Sequence, residues 1–327
     1  MARARALRSL FATSAAGLLM SLGPLSVFVL GHLLFDLIGT PFSTDVLRAT
    51  RSTSVTGLNA SEAISDGHVW AATAHIYLIT ALFVLVLLMR WLRSRVRGLA
   101  AFPYLSSAAL LSVIGVAYLL SVDQQNRPIK AIFLFTYTSL AKAKFMGGAE
   151  QLTPIQSTIN VINLLSVIVP SVMIAFLPVL ARTPKDGWSE AELLMRIKDA
   201  RLLGVSASVF MVAGVLHMYA WMSWAPELIN KETLESVVGS VAFYWGSVFA
   251  MMLAALYVPA LIFLQGKAEL VMNAEQIPFK ERSQWLIDRG LSFKLATQLP
   301  QFIGILAPLI AAPAGKMIAN IHSLLPS

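Results

Sequence analysis

Long apolar runs recur along the chain at residues 14–38, 68–89, 101–121, 157–181, 202–224 and 237–264. Each is long enough to cross a bilayer as a helix, since about 20 residues at a 1.5 Å rise match a hydrocarbon core of about 30 Å. None alternates apolar and polar residues as a barrel strand must, so helices are expected throughout. The predicted fold is all-α: a polytopic integral membrane helix bundle with about six transmembrane helices, forming one domain over residues 1–327.

Two further segments are only partly apolar. Residues 128–145 end in Lys142 and Lys144, and are expected to lie in the interface as an amphipathic helix or to form a re-entrant outer segment. Residues 299–321 carry Pro300, Pro308, Pro313 and Lys316, which suits a broken or interfacial helix better than a straight seventh span. Ser189 and Glu192 have the spacing of a capping box, so a helix is expected to start there and run through residues 189–201 into the fifth span. Residues 265–298 are expected to form a second helical extension beyond the sixth.

The basic residues orient these spans. Seventeen of the 25 Lys and Arg residues lie at the N-terminus, in the loops after the second and fourth spans, and after the sixth; seven lie in the opposite loops. The positive-inside rule therefore places the N-terminus in the cytoplasm, and a bacterial cytoplasmic membrane is the expected location. The first run exceeds the roughly 7–15-residue apolar core of a cleaved signal peptide, and no small-x-small site follows it, so it is expected to be retained. Composition agrees with lipid as the main solvent: 57% hydrophobic and 13% charged residues, with a mean hydropathy of +0.71. The net charge of +8 is accounted for by this loop asymmetry, and no nucleic acid partner is expected. The absence of cysteine removes disulfides, thiolate metal sites, thiol nucleophiles and lipidated cysteines.

Chemistry-bearing motifs are scarce. There is no P-loop glycine pattern, His-Glu-x-x-His helix or Gly-x-Ser-x-Gly elbow, so no catalytic residue is assigned, an enzyme is not favoured and no cofactor is predicted. Polar residues inside the spans are the better lead, because a polar side chain in lipid is costly and usually faces a bundle interior or a cavity. His32, His75 and His217 fall at one depth, roughly 10 Å below the outer surface by helical rise. Asp36 is one turn from His32, and Asn160 and Asn163 share the same zone on the fourth span. Together these six residues outline a polar pathway open to the outside, although histidines and asparagines also serve as ordinary interhelical hydrogen bonds. His32, His75 and His217 form the only candidate set for a metal or haem, and a weak one, since they stand on three helices.

Pro24 and Pro170 lie centrally in the first helix of each half of a three-plus-three division and are candidates for matched helix breaks, as in transporters built from inverted repeats. Gly204 with Ser208, Ala213, Gly214, Gly246 and Ala250 permit close helix approach, within the bundle or in a homo-oligomer. Trp221, Trp224, Tyr244 and Trp245 read as an outer aromatic belt and Trp91 as an inner one. Asn59-Ala60-Ser61 matches a glycosylation sequon in a Ser/Thr-rich outer loop. Arg282, Trp285 and Arg289 form a candidate docking face for a cytoplasmic partner.

Two functional readings follow. In the first, the protein is transporter-like or channel-like and moves a small solute or ion along the polar pathway. In the second, it is a membrane-embedded subunit or effector of a larger complex, driven by a partner at its cytoplasmic helices. A haem- or metal-binding redox protein is a third, weaker reading.

Overall fold

The computed structural model describes residues 16–38, 60–121, 128–142, 152–184, 186–224, 231–291, 301–311 and 314. The basic N-terminus, residues 39–59 with the sequon Asn59, residues 143–145, residues 292–300 and most of 312–321 lie outside the described residues. The described chain is helical, without strands: α1 (Ala16–Ile38), α2 (Ala60–Arg95), α3 (Phe102–Leu120), α4 (Pro128–Lys142), α5 (Thr153–Phe176), α6 (Pro178–Ala181), α7 (Glu190–Ser223), α8 (Lys231–Ala274), α9 (Phe279–Asp288) and α10 (Gln301–Ala311). Six helical stretches, Ala16–Ile38, Ile64–Arg95, Gly98–Leu120, Thr153–Ala181, Glu190–Ser223 and Val237–Ala274, are long and apolar enough to cross a membrane. The chain is a multi-pass helical membrane protein.

Several helices extend past the apolar runs, because a hydropathy window sees only the part of a helix that lipid contacts. Helix α7 starts at the predicted cap, where Ser189 Oγ accepts from the Glu192 amide at 3.3 Å. The Glu192 carboxylate does not close the box; it accepts from Arg196 Nε at 2.8 Å.

The spanning helices form a ring in which α8 packs on α7, α7 on α2, α2 on α5 and α5 on α3. Helix α1 closes it, meeting α8 at Gly23 and Gly31 and the α5–α6 corner at Gly17 and Ser21. Large apolar side chains cover the outside, such as Leu37 at 76%, Val86 at 68% and Val113 at 65% exposure. Water would not tolerate that surface on a monomer, whereas acyl chains solvate it.

Prolines glue the ring together. Pro178 has no N–H to give Ile174, and the orphaned Ile174 carbonyl instead accepts from Ser21 Oγ of α1 at 2.9 Å. Pro308 likewise frees the Gly304 carbonyl, which accepts from Ser208 Oγ of α7 at 2.6 Å. Pro259 frees the Ala255 carbonyl, and α1 passes so close that a Cβ at Gly23 would lie 3.3 Å from that oxygen. By contrast, α1 and α5 continue unbroken through Pro24 and Pro170, since one missing rung leaves the rest of the ladder intact. The interruption on α5 falls at Leu177, ahead of Pro178. Helix α10 lies against α7 and α8 with much of its apolar surface exposed, held by Ser208 of α7 and by contact of Pro308 and Leu309 with Gly246 of α8.

Candidate functional site

Two helix faces build the principal cluster. On α2, Asp66, Trp70 and Tyr77 follow at i, i+4 and i+11, and on α7, Phe210, His217, Trp221 and Trp224 follow at i, i+7, i+11 and i+14. Each set shares one face of its helix. The faces meet antiparallel and in register: a Cβ at Gly67 would come 2.8 Å from the Trp224 ring, and one at Gly214 would come 3.5 Å from Tyr77. Trp70 then lies 5.6 Å from both Trp221 and Trp224 and 6.2 Å from His217, while Tyr77 is 5.8 Å from His217 and 5.2 Å from Phe210 (ring centroids). Aromatic pairs of this kind contribute about 0.5–1.5 kcal/mol each beyond area burial.

Helix α4 roofs this cluster at the end of the bundle where α1 finishes and α2 starts, called here the α1–α2 end. Phe133 stacks on Trp221 at 5.4 Å, Thr136 and Leu140 follow at i+3 and i+7 fully buried, and Tyr137 Oη donates to Gln156 Oε1 of α5 at 3.3 Å. Within this shell four buried polar atoms have no hydrogen-bond partner among the described residues: Trp70 Nε1, Thr136 Oγ1, His217 Nδ1 and Trp221 Nε1. Leaving a buried polar group unsatisfied costs roughly 1–3 kcal/mol, so four in one place require explanation. Single indole orphans also occur at Trp91 and Trp245. Asp66, 7% exposed, adds an acid at the rim, one turn from Trp70.

Interhelical contacts also fix relative heights. Gly31 faces Val248, Gly204 faces Tyr257 and Gly214 faces Tyr77. Followed around the ring, these registers bring His32, His75 and His217 level to within about one helical turn, ~5 Å. Ser21 facing Ile174 brings Asn163 to the same level. Height alone does not bring them together. His32 sits on α1 among Phe28 at 4.6 Å, Trp245 at 4.7 Å and Tyr118 at 5.9 Å. Asp36 lies one turn beyond it, near Tyr244, whose hydroxyl donates to the Gly31 carbonyl at 2.6 Å. His75 points out of the bundle with Nδ1 2.9 Å from its own Ala71 carbonyl, and Asn160 and Asn163 are exposed on the outer face of α5. Among the described residues no three His, Cys, Asp or Glu side chains are placed to hold a metal ion.

The tryptophans expected as belt anchors are interior instead. Trp91, Trp221, Trp224 and Trp245 are all buried, because their rings fill the spaces between helices rather than reaching the headgroups. The signal for the cluster lies in the sequence as the matched spacings on α2 and α7, although Trp70, Tyr77, Phe133, Thr136 and Asp66 are each unremarkable alone.

The opposite, α2–α3 end carries ion pairs. Arg95 Nε and Nη2 each lie 2.7 Å from a carboxylate oxygen of buried Asp199. Buried Arg196 donates to Glu192 and to the Val179 carbonyl. The proposed docking residues are engaged here: Arg289 pairs with Glu190 and lies over the Trp285 ring at 3.9 Å, Trp285 is buried, and Arg282 donates to Asn273 Oδ1 and the Ile277 carbonyl. Phe279, by contrast, is 87% exposed. No family model, curated protein or solved structure matches the chain.

Proposed function

We propose that the protein binds a small polar solute or ion in the His217 cluster and passes it across the membrane. The basic-residue asymmetry supports placing the N-terminus and the α2–α3 end in the cytoplasm, so that this cluster lies toward the outer face beneath α4. The observation that carries the reading is the group of four unpartnered polar atoms enclosed by α2, α4 and α7. Two indole N–H groups only donate, the threonine hydroxyl donates or accepts, and the imidazole nitrogen does either according to its tautomer. The favoured solute therefore accepts hydrogen bonds from the indoles. Buried aromatic walls with a few polar groups are the usual lining of a small-molecule site. The partner-driven reading is less favoured, since Arg289 and Trp285 are spent on contacts within the chain.

Flux of small ions and neutral polar solutes into liposomes holding the purified protein tests this. The native protein is expected to raise flux of at least one solute class over protein-free vesicles. His217→Phe and Trp221→Phe are each expected to cut it about tenfold or more, the loss of one or two hydrogen bonds to the solute. Unchanged flux in both variants, or no flux from correctly folded protein, would sink the reading.

A further inference from the structure

Near the α2–α3 end, the outer surface of α2 carries a shallow, open groove lined by residues of that helix, Leu85, Val86, Met89, Arg90 and Arg93. Arg90 and Arg93, one turn apart and both exposed, make no ion pair or hydrogen bond with any described residue. They differ in this from Arg95, Arg196 and Arg289 of the same end, which are all paired within the chain.

The groove continues an apolar stripe. Leu82, Val86 and Met89 precede Arg93 at i, i+4, i+7 and i+11, with Leu82 and Val86 more than half exposed. Just beyond Arg93 the chain turns at Gly98, whose φ of +59° favours glycine, and then presents Leu99 and Phe102 to the surroundings at 92% and 68% exposure. Side chains as exposed as Leu82 and Val86 belong in hydrocarbon, and the apolar stripe ends at Arg90 and Arg93, which sets the two guanidiniums at its boundary, where lipid phosphates lie.

We propose that this groove binds an anionic phospholipid, with Arg90 and Arg93 on the headgroup phosphate and an acyl chain along Leu82, Val86 and Met89. Guanidinium matches phosphate with paired N–H donors, and each basic residue near anionic lipid contributes about 1 kcal/mol. The apolar wall running straight from the charges selects a lipid over free phosphate. A zwitterionic headgroup carries its own cation beside the phosphate and competes poorly. The proposal rests neither on the transport reading nor on which way the chain is inserted.

The test is native mass spectrometry of the detergent-purified chain, titrated with phosphatidylglycerol, with phosphatidylcholine of the same acyl chains, and with glycerol phosphate. Phosphatidylglycerol is expected to bind at low stoichiometry, and Arg90→Gln/Arg93→Gln to weaken it roughly tenfold or more. Lys198→Gln, removing an exposed cation outside the groove, should leave binding unchanged. Both arginines are exposed and unpaired among the described residues, so their replacement should not alter the unfolding temperature, which is measured alongside. Arg90→Lys/Arg93→Lys should retain part of the affinity and serves as the second variant. Equal binding of the two lipids, equal binding of glycerol phosphate, or full affinity in the Gln variant would overturn the proposal.

Discussion

Replacing Arg95 with Met is expected to destabilise the folded protein by about 3 kcal/mol, the lower end of the range for breaking a buried ion pair. The lower end applies because the Arg95 side chain keeps 23% exposure while that of Asp199 keeps 4%. Asp199 would be left buried at the junction of α2 and α7 with its only ion-pair partner among the described residues gone. The double variant Arg95→Met/Asp199→Leu is expected to recover most of the loss, since two apolar groups of similar bulk need no compensation. Unfolding temperatures in detergent for the single, the partner single and the double variants form the cycle. A double variant as unstable as Arg95→Met would show that the pair is not what couples α2 to α7.

The second large effect is expected at Gly246. A Cβ there would lie 2.7 Å from the Pro308 carbonyl oxygen and 3.1 Å from Leu309 Cα, both backbone atoms that no rotamer change can move aside. Gly246→Leu should therefore expel α10 from its seat against α7 and α8, break the Ser208 bond to the Gly304 carbonyl and lower stability by about 1–3 kcal/mol. Leucine at Gly239 of the same helix, where a Cβ meets nothing within 4 Å, is the matched control and should be nearly neutral. Equal melting of the two variants would mean that α10 does not seat on Gly246.

These contrasts explain what could be read from the sequence. Spans were legible because a lipid-crossing helix must be apolar over most of its length, and the start of α7 was legible because Ser189 marks it locally. Height was legible too: fixed rise per residue brought His32, His75, His217 and Asn163 level before any contact was known. Direction around each helix axis was not, since it depends on which neighbours flank the helix. His75 and Asn163 consequently face outward, while His217 faces Trp70 and Tyr77. The prolines tell the same story. Their positions are plain in the sequence, but that Ser21 and Ser208 would meet the carbonyls freed by Pro178 and Pro308 required knowing that α1 and α7 pass there.

Because the chain contains no cysteine, single cysteines can be introduced and read without background. The most direct measurement of the solute site is the reactivity of His217→Cys and Thr136→Cys toward a small membrane-impermeant thiol reagent. Val215→Cys and Leu140→Cys serve as comparisons, since Val215 and Leu140 are fully buried neighbours on the same helices. A thiol reacts as its thiolate, which needs water or another polar surrounding, so packed apolar positions are protected. The account predicts labelling at 217 and 136 and none at 215 and 140. Cysteines at 217 and 136 as inert as those at 215 and 140 would contradict it.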